Sequence, residues 1–397
     1  MSTKSVIYKK KIIRELYFAG NLSCLDISDR TSTSLPLATK MVGQLIEENY
    51  VTPTGYAPST GGRRAQSYSL RPESSYIVSI AMDQFFTRMV IMDMHQKRVT
   101  PVGKFEFPHT AKDSTPDRLA AMINEFILRS GIGSTQIAGI GVGMPGFVDS
   151  REGINYSFPN SPGKGIARYL TEHTGIQTFI ENDSRLIALA EFRFGIARNA
   201  RNVLVINLGW GVGLGMILNG EYFRGHNGFA GEFSHLPIYS NNKLCSCGKS
   251  GCLETEASLL ELIVKAEAGI RNGSLTALST QLPAKDHDMA AHAILSAANA
   301  GDKFAVGLLS EAGYTIGRGI AILIHLLNPE KIVLSGRGAA AGKIWQAPIQ
   351  QALNEHCIPR LAVNTHIEVS PSGNDAELIG AAALVIEGCY AASESLC

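Results

Sequence analysis

The chain has 397 residues, too many for one ordinary hydrophobic core, so two or three domains are expected. At 45% hydrophobic and 18% charged residues it reads as globular, and no apolar run reaches the roughly 18 to 20 residues of a membrane span. Net charge is +1, but residues 1 to 70 hold nine Lys and Arg against five Asp and Glu, so a basic segment precedes a slightly acidic body.

That basic segment opens with KKIIRELYFAG, where Ile12, Ile13, Leu16 and Tyr17 recur at helical spacing before Gly20 as a C-cap. Charges scattered through its apolar positions argue against a signal peptide. SCLDISDRT predicts a short second helix after Ser23. In SLPLATKMVGQLIEENYV, Ser34 is the N-cap, Pro36 lies in the first turn, and Leu35, Ala38, Val42, Leu45 and Ile46 form the apolar stripe. Leu37, Thr39, Lys40 and Gln44 lie off that stripe. YVTPTGYAPSTGGRRAQSYSL predicts two short strands around a glycine-rich tip that carries Arg63 and Arg64. Three helices and a two-stranded ribbon are the pattern of a winged helix-turn-helix. Its third helix would enter the major groove (Ser34, Leu37, Thr39, Lys40, Gln44), and the arginine tip would track the backbone. The alternative is a small helical cap on the body.

From Tyr76 the texture changes to strands with polar or glycine-rich ends that alternate with helices. YIVSIAMDQFFTRMVIMDM reads as two strands and a turn, and QIAGIGVGMPGFVDS as a buried strand with a glycine turn. QTFIENDSRLIALAEFRFG is a strand running into a helix, and NVLVINLGWGVGLGMILNG a hairpin. PEKIVLSGRGAAAG is a further strand and glycine turn; residues 258 to 325 read as mainly helical, and DAELIGAAALVIE as a closing helix. The class is α/β, with ligands expected at strand termini. Seven cysteines, an odd number, suit a reducing cytoplasm better than a disulfide framework. Cys245, Cys247 and Cys252 crowd into CSCGKSGC, which makes them a metal candidate rather than a chance cluster of reduced thiols.

MPGFVD, ENDSRLIALAE, GFAGEFSH and CSCGKSGCLE, in this order and spacing, resemble the ROK family of sugar kinases and sugar-responsive repressors. The resemblance runs from about residue 76 to the C-terminus. With a winged helix-turn-helix in front, it is to regulators of the N-acetylglucosamine- and xylose-repressor kind. It implies a winged helix-turn-helix over 1–72 and a two-lobed, actin-like and sugar-kinase-like body. One lobe would span 73–186 with the helix 376–397 packed back on it, and the other 187–375. His235, ten positions before Cys245, then joins Cys245, Cys247 and Cys252 as the fourth ligand of a closed, tetrahedral, structural zinc site.

The resemblance also assigns sugar hydroxyls to Asn160, Asn182, Asp183, Glu232, His235 and Glu254, types whose paired donors and acceptors suit vicinal hydroxyls. Ser234 stands where the family commonly has glycine. In a kinase Asp183 would be the general base. Kinases of the family carry Asp-x-Gly-Gly-Thr after the first strand, but here Ala81 replaces the Asp, and Asp83, Gln84 and Phe85 the Gly-Gly-Thr. Trp210 takes a Thr position between glycines, and Arg337 interrupts a third glycine run. These changes argue against an ATP and Mg2+ site. The expected protein is a sugar-responsive regulator, more a repressor than an enzyme. It would bind an operator as a homodimer or homotetramer and respond to a hexose or N-acylhexosamine, free or phosphorylated. The alternatives are an ATP-dependent hexose or N-acylhexosamine kinase with a DNA-binding head, and a non-catalytic sugar-sensing scaffold that docks a partner protein and leaves DNA alone.

Overall fold

The computed structural model describes residues 3–56, 64–107, 115–158 and 165–390. They divide into two compact units, Met1–Leu186 with Leu378–Cys397, and Ile187–Glu377.

The N-terminal head belongs to the first unit. Helix α1 (Thr3–Ala19) buries Ile12, Ile13, Leu16 and Tyr17, and ends where Gly20 turns to φ +83°. Strand β1 (Leu22–Ser23) leads into α2 (Cys24–Thr31). Ser23 Oγ accepts the Asp26 amide while the Asp26 carboxylate accepts the Ser23 amide, a reciprocal capping box that fixes this helix start. Helix α3 (Leu35–Glu47) follows, then β2 (Val51–Tyr56) and β3 (Gln66–Leu70), in a sheet ordered β1–β3–β2. The apolar stripe of α3 is Ala38, Met41, Val42 and Leu45. Leu35, expected on it, is exposed, because it lies one turn before the packed face begins, and Ile46 is only partly covered. This is a winged helix-turn-helix.

The rest of the first unit is built on a five-stranded sheet. Its elements are β4 (Tyr76–Met82), β5 (Thr87–Asp93), β6 (Gly103–Phe105), α4 (Pro116–Ser130) and β7 (Ile137–Met144). The short pair β8 (Val148–Asp149) and β9 (Ile154–Asn155), α5 (Ile166–Thr174), β10 (Thr178–Asn182) and the first residues of α6 (Asp183–Arg193), which continues into the second unit at Ile187, follow. The sheet order is β10–β7–β4–β5–β6, with β4, β7 and β10 parallel. Strand β7 is covered on both faces, so its sequence is a continuous apolar run and not an alternation. Ile80, Val142, Ile180, Leu119 and Leu170 fill the core around it.

The second unit repeats the strand-and-helix plan. It contains β11 (Val203–Leu208), β12 (Val212–Leu218), β13 (Glu221–Phe223), α7 (Glu254–Ala257), α8 (Leu259–Arg271) and α9 (His287–Asn299). The 25-residue α10 (Lys303–Leu327), β14 (Lys331–Ser335), α11 (Gln346–His356), α12 (Pro359–Ala362) and β15 (His366–Val369) complete it, with sheet order β13–β12–β11–β14–β15. The closing helix α13 (Ala376–Cys389) rejoins the first unit from Leu378. There a side chain on Gly141 of β7 would stand 2.1 Å from the Ala381 carbonyl, so glycine is what lets strand and helix meet backbone to backbone. Among the described residues, no helix is long and apolar enough to cross a membrane.

Candidate functional site

In the first unit, the polar end of one parallel strand runs straight into a helix. β10 runs out at Asn182 and α6 starts at Asp183 with no intervening loop. Asn182 Oδ1 accepts the amides of Ser184 and Arg185, capping the helix, while its Nδ2 donates to the Gly146 carbonyl at 3.2 Å. One side chain thus joins the ENDSR turn to the PGFVD loop.

Beneath it lies an ion pair that the sequence did not announce. Arg185 Nη1 is 3.2 Å from Glu181 Oε1, both side chains are at most 5% exposed, and Arg185 Nη2 donates to the Val148 carbonyl. Glu181 also accepts the Asn182 amide at 2.9 Å. A buried pair is retained only when its remaining hydrogen bonds are met, as they are here, and this one fixes Asn182 and Asp183. The i, i+4 spacing of an acid and a base across ENDSR was its only sequence signal.

Asp183 keeps part of its surface toward solvent but lies deep enough for burial to push its carboxyl up to about 6, with Asp83 adding to the rise and Ser184 and Arg185 opposing it. A carboxyl in that range exchanges protons near neutrality. Asp83 itself closes the β4–β5 turn: its Oδ1 accepts the amides of Phe85 and Phe86, both at 2.7 Å.

In the second unit the GFAGEFSH loop packs against β12. Gly231, at φ +102°, has the Leu214 carbonyl 2.7 Å from where a Cβ would be, so only glycine fits before Glu232. A 3-10 turn over Phe233–His235 follows, with Phe233 buried as its anchor. His235 Nε2 faces Glu232 at 3.8 Å, and its Nδ1 faces Glu254 at 3.7 Å and Cys245 Sγ at 3.5 Å. The three expected sugar ligands of this unit are therefore neighbours, and the two ring nitrogens look opposite ways.

Nδ1 points into the cysteine cluster. The donor atoms of His235, Cys245, Cys247 and Cys252 all lie within 4.8 Å of one another. A tetrahedral zinc with Zn–S of about 2.3 Å and Zn–N of about 2.0 Å requires S···S near ~3.7 Å and N···S near ~3.5 Å. Cys247 Sγ to Cys252 Sγ is 3.7 Å, and Cys245 Sγ to His235 Nδ1 is 3.5 Å. The donor set fits a metal ion. Backbone geometry holds it: Cys245 N donates to Lys249 O at 2.8 Å, and Gly251 sits at φ +79° with the Tyr239 carbonyl 2.0 Å from any Cβ. Glu254 Oε1, 2.9 Å from Cys245 Sγ, touches the metal candidate as well, which the sequence reading had not assigned to it. Burial first, and then the Glu254 carboxylate, push the Cys245 thiol up to about 12; a divalent cation would reverse that and hold the thiolate.

The substituted glycine loops of this unit also meet. Trp210, buried, carries the Arg337 guanidinium 4.4 Å over its ring and His287 edge-on at 6.2 Å, and Arg337 is paired with Asp288. Two departures 127 positions apart in sequence form one stack.

Of the remaining expected site residues, Asn160 and Arg63 lie outside the described residues. Ser34, Thr39, Lys40 and Arg64 are exposed, and Leu37 and Gln44 half-buried. Ser34 occupies the N-cap position of α3 without a side-chain hydrogen bond to it.

Known proteins with the same pattern fall into two groups. A glucokinase of Halalkalibacterium halodurans is 33% identical over 290 residues, which cover 72% of this chain and 88% of that protein. The Escherichia coli strain K12 protein named DNA-binding transcriptional dual regulator NagC is 29% identical over 373 residues, 92% of this chain and 89% of its own. A solved structure of a ROK family transcriptional regulator, a homologue of the E. coli MLC protein, matches with a TM-score of 0.79 at 26% identity, over 98% of this chain and 97% of its own. The sequence model of the ROK family itself matches residues 87–388, which leaves the winged helix-turn-helix in front of it, and the chain belongs to the ROK family.

Proposed function

We propose that this protein is a sugar-responsive, DNA-binding transcriptional regulator, most simply a repressor of carbohydrate-utilisation genes acting in the cytoplasm. The observation that carries the reading is the near full-length match to a ROK regulator, head included. Residues 1–72 are taken as the DNA-binding domain, and 73–186 with 376–397, and 187–375, as the lobes of the sensing body. Ser34, Leu37, Thr39, Lys40 and Gln44 would face the major groove, and Arg63 and Arg64 the phosphates. Two heads of a homodimer, alone or within a tetramer, would meet half-sites about 34 Å or a multiple apart.

The effector is a hexose or N-acylhexosamine held by Asn160, Asn182, Asp183, Glu232, His235 and Glu254. Zinc on His235 Nδ1, Cys245, Cys247 and Cys252 is structural: it supplies no reaction but clamps the loop that carries Glu232 and Glu254. His235 Nε2 is left to face the ligand, consistent with its turn toward Glu232. ATP-Mg2+ has no role in this reading. Two observations support this: the Asp83 carboxylate accepts the Phe85 and Phe86 amides of the first turn, and Arg337 lies over the Trp210 ring at the second glycine loop.

A sugar kinase is the competing reading, favoured by the 33% identity to a glucokinase and by an Asp183 that titrates near neutrality. ADP release from ATP-Mg2+ with a panel of hexoses and N-acylhexosamines, run beside calorimetry with the same sugars, separates the two. Binding without turnover is expected; sugar-dependent turnover abolished by Asp183→Asn would establish the kinase.

A further inference from the structure

In the reading above, helix α3 enters the major groove, and the N-terminal end of such a helix is the part that meets base edges. That end carries an apolar side chain in the open. Leu35, the first residue of α3, is 44% exposed, while the packed stripe of Ala38, Met41, Val42 and Leu45 begins beyond it. An exposed leucine is ordinary by itself, but the side chains around this one offer a base few hydrogen bonds. Pro36, exposed beside it, has neither an amide hydrogen nor a polar side chain. Thr39, one turn on, donates its hydroxyl to the Leu35 carbonyl at 2.9 Å. Gly43, a further turn on, adds no side chain, and a Cβ placed there would have nothing within 4 Å.

Charge on this side suits a polyanion. Lys40 is exposed, the head as a whole is basic, and the exposed acid of α3, Glu47, is at its other end. A lysine is a flexible point charge, however, and on phosphate it carries no sequence information. Leu35 has neither donor nor acceptor, so it can read a base only by apolar contact. In the major groove thymine alone presents a methyl group. A leucine gains by covering that methyl and loses against cytosine, whose amino group would face a side chain with nothing to accept it.

We infer that Leu35 is a specificity-determining residue of the DNA-binding head, which takes the 5-methyl group of a thymine in each half-site of the operator. This deepens the proposed function and rests on it. Lys40 and Arg64 would supply affinity for any sequence, and Leu35 discrimination between sequences.

The test uses the full-length chain and a duplex selected from a random pool, read by fluorescence anisotropy. Each thymine of one half-site is replaced in turn by deoxyuridine, which lacks only the 5-methyl group. At one position the replacement is expected to weaken binding about fourfold, the worth of one buried methyl-sized group. In Leu35→Ala, thymine and deoxyuridine at that position are expected to bind alike, with the melting temperature held because Leu35 is exposed. Leu35→Met, apolar and of similar size, is expected to keep most of the difference. A merely structural Leu35 would not move a ratio between duplexes that differ by one methyl group. Deoxyuridine tolerated at every position, or a thymine preference that persists in Leu35→Ala, overturns the inference and leaves the DNA-binding reading standing. A pool that yields no bound duplex, with sugar or without, overturns that reading and the inference with it.

Discussion

Asp183 combines two properties that oppose each other, a carboxylate function and a buried place. Its carboxyl is raised from the ordinary 3.8 to about 6. Between those values the folded state holds a proton that the unfolded state releases, so stability falls as pH rises through this window, and the cost is complete above about pH 7. Partial exposure keeps it to roughly 1–3 kcal/mol. Asp183→Asn should therefore melt higher than the parent at pH 7.5 and lose most of that advantage near pH 4.5, while sugar binding is lost. Thermal unfolding at the two pH values checks this, and an unchanged or lower melting temperature at pH 7.5 would count against it. The metal candidate yields a second expectation: one zinc per chain by elemental analysis, none in Cys252→Ser, with weakened sugar binding in that variant. Retained sugar affinity without metal would remove the clamp role. The cysteines of the metal candidate were legible in the sequence because three of them sit within eight residues, and a local loop can close on a metal. The Glu181–Arg185 pair and the Trp210–Arg337 stack were not, because what makes each matter (the Val148 carbonyl, the partner loop) comes from elsewhere in the fold.

At the scale of elements, periodicity located the helices and strands well and their ends less well. The stripe of α3 was read one turn too early, at Leu35, and missed Met41, because period alone does not say where the neighbouring helices stop covering a helix. The pairs β1–β3 and β8–β9 involve two-residue strands too short to show a period. In the proposed reading, the exposed side of α3 and the wing would meet DNA. Lys40 and Arg64 are exposed, whereas Lys9 is buried against Glu48 at 2.6 Å and so is a structural cation of the head. Replacing Lys40 or Arg64 with Ala should weaken DNA binding across sequences and flatten the slope of log K against log salt by about 1 each, while Lys9→Ala should lower head stability instead. Fluorescence anisotropy on a labelled duplex over a salt series distinguishes the two; an unchanged slope in Arg64→Ala would remove the wing from the interface.

At the scale of the whole chain, the head is joined to the rest of its unit by specific bonds. Arg14 binds Glu387 of α13 through two nitrogens at 3.0 and 2.7 Å, Gln96 donates to the Tyr17 carbonyl at 3.1 Å, and His95 meets the Leu70 carbonyl at 2.8 Å. α13 itself begins in the second unit and ends on these contacts, so one helix is shared by the unit holding the metal candidate and the unit holding the head. That continuity was half legible: the closing helix could be read from its apolar run, but not its partner Arg14, 373 positions away. If both sugar and DNA bias the arrangement that this helix spans, the two ligands must be linked by a coupling free energy, typically 1–3 kcal/mol. The most direct test is the affinity of the full-length chain for a duplex selected from a random pool, measured with and without saturating sugar. A change of roughly 5- to 150-fold is expected, reciprocated in sugar affinity when DNA is present. Identical DNA affinity with and without a sugar that calorimetry shows to bind would contradict the account.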